Sequence, residues 1–231
     1  ELPVGSMHPS VTEFEARVRR GPELVRQTFA LPLPAGLMPW SETSLVFTGI
    51  GASDATARTA EQLLRHELRL RVSVQPLSDF LHRDVDLQGK TLVLLSQELS
   101  PNTMLALHRA ESFQHALLLT SLPETDGRLD KFREAGGRVW TLPPAEERGL
   151  LVRVMGPLTV TAALLKLAWA GTGEALPKDV ALVPAAMERA LDEGFAAAES
   201  WPDASVRPPL IACGWYARAV EAILWTWMEA W

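Results

Sequence analysis

Lys90-Thr-Leu-Val-Leu-Leu-Ser-Gln-Glu-Leu-Ser-Pro-Asn-Thr103 passes from an unbroken apolar run into a loop rich in hydroxyls. A short apolar run without alternation reads as a strand buried on both faces, and such strands belong to parallel sheets. Beyond it the spacing predicts a helix over Pro101–Phe113, with Ser100 as N-cap and Pro101 at the first helical position. Backbone N–H groups, hydroxyls and the positive end of that helix together suit an anion. The plainer reading is that these groups only cap a helix. Ser53 after an earlier strand, and Thr120-Ser121 after a later one, put more hydroxyls on the same sheet edge and favour the anion.

Working outward, Leu45-Val-Phe-Thr48 is another apolar run, ended by Gly49-Ile-Gly-Ala-Ser53. Ala57, Ala60, Leu63, Leu64 and Leu68 then fall at helical spacing. Further strands are expected at Arg71–Gln75, His115–Ser121 and Arg138–Leu142. Helices are expected over Val11–Phe29, Arg128–Ala135, Leu150–Ala170 and Val180–Ser200. The alternation predicts an α/β fold, a parallel five-stranded sheet flanked by helices. Ligands of such sheets sit at the carboxyl ends of strands where the strand order reverses, which directs attention to the loops after Thr48, Leu95 and Thr120. The organisation expected is an N-terminal helix and proline-rich lead over 8–44, a first domain over 45–175 and a connecting helix over 176–207. From Leu210 to Leu224 the chain replays the strand, glycine turn and small-residue helix of Leu45–Ala57, about 160 residues further on. Residues 208–231 are therefore expected to begin a second, incomplete copy.

The 231 residues are 47% hydrophobic and 22% charged, which excludes disordered, collagen-like and disulfide-scaffold classes. Lys+Arg 22 against Asp+Glu 28 gives a net charge of −6, which argues against a nucleic acid or an anionic membrane as partner. The single cysteine, Cys213, fits a reducing, cytoplasmic setting. Arg153, Gly156, Pro157 and Lys166 interrupt the apolar run Leu150–Ala170, so it is expected to be a buried helix and not a membrane span. Glu1–Ser6, ahead of Met7, lacks the basic-then-apolar order of a signal peptide and is set aside as a non-native leader. Gly49-x-Gly51 invites a dinucleotide, but Asp54 holds the third glycine position and Asp79 lies too far on; no cofactor is expected. His66, His82, His108 and His115 read as solvated, capping or structural groups, Glu146-Glu147-Arg148 reads as a solvated turn, and no metal spacing is present.

Gly51-Ala-Ser53, Val74-Gln-Pro-Leu-Ser-Asp-Phe80, and Ser96-Gln97 with Ser100 to Thr103 resemble the sugar isomerase (SIS) domain family. Its corresponding runs are Gly-Thr-Ser, Val-Glu-x-Ala-Ser-Glu-Phe and Ser-Gln-Ser-Gly-Glu-Thr-Ala-Asp-Thr. The resemblance covers about Leu45–Ala170 and resumes at Ile211–Glu229 as the start of a tandem copy. It implies a flavodoxin-like three-layer sandwich in which Ser53, Ser96, Gln97, Ser100 and Thr103 hold the phosphate of a sugar. The activity implied is aldose–ketose isomerisation of a phosphosugar, with a non-catalytic sensor (or degenerate family member) and an aminosugar-phosphate deaminase as alternatives. By the same resemblance Glu221 matches a family glutamate and Glu229 stands one place past another, making these two the candidate acid–base pair; Glu147 is a lesser candidate for the glutamate preceding the helix that closes the site. The chain departs from the pattern in Glu98-Leu99-Ser100, one residue shorter and without the glycine. It departs again where Trp225, Trp227 and Met228 replace two lysines and a glutamate. The apolar load of Trp225, Trp227, Trp231 and Leu150–Ala170 leads us to expect a homodimer.

Overall fold

Five apolar runs of the sequence become five strands. They are β1 (Ser44–Thr48), β2 (Val72–Val74), β3 (Lys90–Leu95), β4 (His115–Thr120) and β5 (Arg138–Thr141). The structure is a computed structural model that describes residues 9–37, 39–81, 87–143, 147 and 153–199. Every neighbouring pair of strands is parallel, in the order β2-β1-β3-β4-β5. The register sets Thr48 beside Leu94 and Leu95 beside Leu119. Because side chains alternate along a strand, each face of the sheet builds its own core. Phe47, Val93, Leu95 and Leu119 join one cluster, and Val46, Leu92, Leu94 and Leu118 join the other. Both cores are dense in Leu and Val, the composition of strands covered on two sides.

Helices fill the two outer layers. In chain order they are α1 (Pro9–Ala30), α2 (Ala52–His66), α3 (Thr103–His108), α4 (Asp130–Glu134), α5 (Met155–Thr172), α6 (Lys178–Ala181) and α7 (Val183–Glu199). α2 and α5 cover the first face with Ala57, Leu64, Leu164 and Leu167, alongside Trp40. α3, α4 and a 3-10 turn at Leu77–Leu81 cover the second with Leu107, Phe132 and Phe80. α1 packs on α5, and α7 packs on α1. Lys166 fastens α5 to the end of α1, its Nζ donating to the carbonyls of Phe29 and Leu31. Those carbonyls belong to the last turn of a helix and the residue beyond it, where a cation is well placed. No described helix is long and apolar enough to cross a membrane.

Helix boundaries differ from the sequence expectation at α3, at α5 and in the helix expected over Val180–Ser200. α3 begins at Thr103, not Pro101, because the N–H groups of Thr103, Met104 and Leu105 reach back only three residues, to the carbonyls of Ser100, Pro101 and Asn102. It ends at His108, and a 3-10 turn at Ala110–Ser112 replaces the last expected turn. α5 begins at Met155 after non-helical Arg153 and Val154; residues 150–152 lie outside the described part. The helix expected over Val180–Ser200 is two, α6 and α7, separated at Leu182. Pro184 has no N–H to bond into a preceding turn and therefore opens the second. His82, Cys213, Glu221, Glu229 and the tryptophans 225, 227 and 231 lie outside the described residues, as does the expected second copy over 208–231.

Candidate functional site

Strand order locates the site before any side chain is considered. From β1 the chain steps outward to β2, then returns to β3 on the other side of β1 and continues to β4 and β5. The reversal lies between β1 and β3, so their following loops leave the sheet side by side, which opens a crevice at that edge. The first of these loops is Gly49–Gly51. A Cβ on Gly49 would stand 2.7 Å from Ser53 Cβ, so only glycine lets the first turn of α2 fold this closely over the end of β1. Ser53 is half-buried in that turn.

The loop after β3 gathers three hydroxyls. Ser96 Oγ donates to Thr103 Oγ1 at 3.2 Å, and Thr103 Oγ1 lies 2.8 Å from Ser100 Oγ. Ser96 and Thr103 are buried and Ser100 is half-buried, so the chain of hydroxyls runs from the interior to the surface. Ser96 Oγ also accepts from the N–H of Leu99, and Ser100 Oγ accepts from the N–H of Thr103. When Thr103 passes its proton toward Ser100, the proton of Ser100 is left to point outward, polarised by the two hydroxyls behind it. Leu99 closes the turn with φ +55° while its side chain is buried in the second core. A left-handed backbone is unusual for a residue with a Cβ.

Strand alternation puts Thr48 and Thr120 on the same sheet face as Ser96. Thr48 is fully buried and its Oγ1 has no partner among the described residues. Thr120 Oγ1 donates to the carbonyl of Gln97, which also receives the N–H of Ser121. Those bonds tie the β3 loop to the end of β4. The amide of Gln97 turns the other way, toward the start of α5. A Cβ at position 156 would meet Gln97 Oε1 at 2.4 Å, so the absence of a side chain on Gly156 is what seats Gln97 there.

Glu147 is fully buried, not in a solvated turn as its neighbours in sequence suggest. Its carboxylate accepts from the N–H groups of Val154, Met155 and Gly156, the last at 2.9 Å. It thereby satisfies the first turn of α5, which has no side-chain cap from its own N-cap residue, Val154. Two arginines flank the hydroxyl loop. Arg128 donates to the Glu98 carbonyl at 3.2 Å, and its hydrogen bonds hold the Asp126 carboxyl down at about 2. Arg153 Nη1 is 3.4 Å from Gln97 Oε1 and 3.9 Å from Glu98 Oε1.

Of the five residues expected to bind phosphate, the structure links Ser96, Ser100 and Thr103 directly. Gln97 lies on the same loop with its amide against α5. Ser53 makes no hydrogen bond to that loop among the described residues, and it borders the crevice from the adjacent strand. The N–H groups of Thr103, Met104 and Leu105, expected to point at an anion, already bond to Ser100, Pro101 and Asn102. The donors left to the loop are its hydroxyls and the backbone before Thr103. Sequence reasoning passed over Arg128, Arg153 and Thr48. Arg153 carried no signal of its place, because the sequence sets it inside the helix expected over Leu150–Ala170 and only the observed start at Met155 puts it ahead of a helix.

No family model matches the sequence, and no curated protein matches it. Solved structures do. The C-terminal domain of glucosamine-fructose-6-phosphate aminotransferase from Francisella tularensis aligns over 86% of this chain and 58% of its own, with TM-score 0.58 at 15% identity. Glucosamine-6-phosphate deaminase from Thermotoga maritima aligns over 80% of this chain and 56% of its own, with TM-score 0.61 at 14% identity. Tagatose-6-phosphate ketose/aldose isomerase from Escherichia coli aligns over 84% and 55%, with TM-score 0.53 at 15% identity. The chain thus spans a little over half the length of each. The likeness is one of fold, and the fold is that of the sugar isomerase domain.

Proposed function

We propose that this chain binds a sugar phosphate in the crevice between β1 and β3, with the phosphate on Ser96, Gln97, Ser100 and Thr103 and with Ser53 facing it. The observation that carries the reading is the hydroxyl chain Ser96–Thr103–Ser100, which ends at the surface at the reversal of strand order. The names of the structural neighbours point the same way, since all three act on, or are named for, 6-phosphosugars. The reaction proposed is aldose–ketose isomerisation. It needs a base near the C1–C2 carbons, and Glu221 and Glu229 are proposed for acid–base work from a second copy of the fold beginning near 208. A homodimer would bring two such sites together.

One observation favours a second reading, a sensor without turnover. Glu147, a buried acid close to the loop, is committed to three backbone N–H groups and has no role left for proton transfer. Incubation with fructose 6-phosphate and with glucosamine 6-phosphate separates the readings. Interconversion of ketose and aldose marks an isomerase, release of ammonia a deaminase, and calorimetric binding with neither a sensor. Each hydrogen bond to an anion is worth about 1.5–3 kcal/mol, so Ser100→Ala is expected to weaken binding about ten-fold or more. Unchanged binding in both Ser53→Ala and Ser100→Ala would remove the phosphate from this loop.

A further inference from the structure

Arg128 approaches the hydroxyl loop from the β4 side, and Asp126 fixes how it does so. Its Nε donates to Asp126 Oδ1 at 2.9 Å and its Nη2 to Oδ2 at 2.7 Å, a two-pronged pair. The third guanidinium nitrogen, Nη1, donates to the Glu98 carbonyl at 3.2 Å. The carbonyl before it, that of Gln97, is held from the same side by Thr120 Oγ1 and the N–H of Ser121. A peptide unit is planar and trans, so its N–H points away from its carbonyl. The unit whose carbonyl Arg128 holds therefore turns the N–H of Leu99 the other way, where it donates to Ser96 Oγ at 3.1 Å. Ser96 Oγ donates in turn to Thr103 Oγ1, which lies 2.8 Å from Ser100 Oγ. One head-to-tail series thus runs from the Asp126–Arg128 pair through the Glu98–Leu99 peptide to Ser96, Thr103 and Ser100. It starts at a cation and ends at a half-buried hydroxyl.

We propose that Arg128 is a positioning residue of the anion site, orienting and polarising the hydroxyl chain through the Glu98–Leu99 peptide without touching the ligand. The proposal rests on the reading that the loop 96–103 takes the phosphate. A cation on a carbonyl draws electrons toward the oxygen and makes the N–H across the same peptide a stronger donor. Each hydroxyl that accepts a stronger bond then gives a stronger one. Ser100 stands at the end of this series, and the proton it turns outward meets a phosphate oxygen as a strengthened donor. Attraction at a distance contributes little. Asp126 neutralises the charge of Arg128 at close range, and the arginine side chain is 52% exposed, so water and salt screen what is left. What reaches Ser100 travels through the bonds.

Two measurements on the full chain test this, with melting followed by circular dichroism to establish that each variant folds. The first is the amide spectrum of the free protein. Arg128→Met is expected to move the Leu99 amide proton upfield as its bond to Ser96 weakens. The second is titration calorimetry with fructose 6-phosphate. Arg128→Met is expected to lower affinity about three-fold. Arg128→Lys is expected to recover part of both effects, because an ammonium can hold the carbonyl but cannot also fork onto Asp126. In a Ser96→Ala background, where the series is cut, Arg128→Met is expected to cause no further loss of affinity. A Leu99 amide that Arg128→Met leaves in place overturns the proposal whatever the ligand does. An equal loss with and without Ser96 overturns it too, since distant attraction or a disturbed loop would not need that hydroxyl. Arg128→Met binding like the wild type while Ser100→Ala weakens it overturns the positioning role and leaves the phosphate loop standing. Binding indifferent to Ser100→Ala, or absent from the wild type, overturns the underlying reading and the proposal with it.

Discussion

Leu99 is a residue asked to do two incompatible things. Its backbone sits at φ +55°, and its side chain is 7% exposed in the second core. A left-handed backbone costs a non-glycine residue about 1–2 kcal/mol, while burying a leucine gains about 1.5–3 kcal/mol. The side chain therefore prevails, and the strain is held in the loop that carries the hydroxyls. Leu99→Gly sheds both terms, whereas Leu99→Ala loses the burial and keeps the strain. Urea denaturation is expected to find both variants less stable than the wild type. It is also expected to place Leu99→Ala about 1 kcal/mol below Leu99→Gly, the reverse of the usual order for these residues. Equal losses would show that the turn is unstrained.

At the scale of elements, helix ends govern stability through partners distant in sequence. Glu147 serves the first turn of α5 as a charged cap, so Glu147→Gln keeps the shape and removes the charge. A loss of about 1–2 kcal/mol is expected, with faster amide exchange in the first turn of α5; an unchanged melt would mean that the charge is idle. At the other junction, Lys166 caps the end of α1, and burial lowers its pKa below the ordinary lysine value of 10.5. A lysine with a depressed folded-state pKa binds fewer protons folded than unfolded, so stability rises with pH between that lowered value and 10.5. Relative to Lys166→Met, the wild type is expected to gain stability as pH climbs through this alkaline window, read from urea midpoints at successive pH values; a constant difference would contradict the shift. The strands and the body of α2 were legible because apolar runs and helical spacing are local patterns. The start of α5 was not, since its cap is an acid seven residues before Val154, and a polar triplet by itself reads as solvated. Likewise Ser96, Ser100 and Thr103 announced themselves as one short motif. Gln97 on Gly156 could not, because 59 positions separate the two and only the folded sheet brings them together.

For the whole molecule, the sheet divides the interior into two cores that share only its backbone. Phe47 and Phe132 are fully buried, one in each. Replacing either by leucine is expected to cost about 1–1.5 kcal/mol, and with the sheet between them the double variant should match the sum within about 0.5 kcal/mol. Both cores should still unfold in one urea transition; two transitions would show that the faces melt independently. The strand order that opens the crevice also has a consequence for synthesis. Every pairing in the sheet is parallel and needs a crossover, so the described residues contain no β-hairpin to form early. β1 can pair with β2 as soon as Val74 is made, but its other side waits for β3, about 40 residues of chain after Thr48. During that interval Leu45-Val-Phe is an apolar strand with one open edge, a template for pairing with other chains until Lys90–Leu95 arrives to cover it.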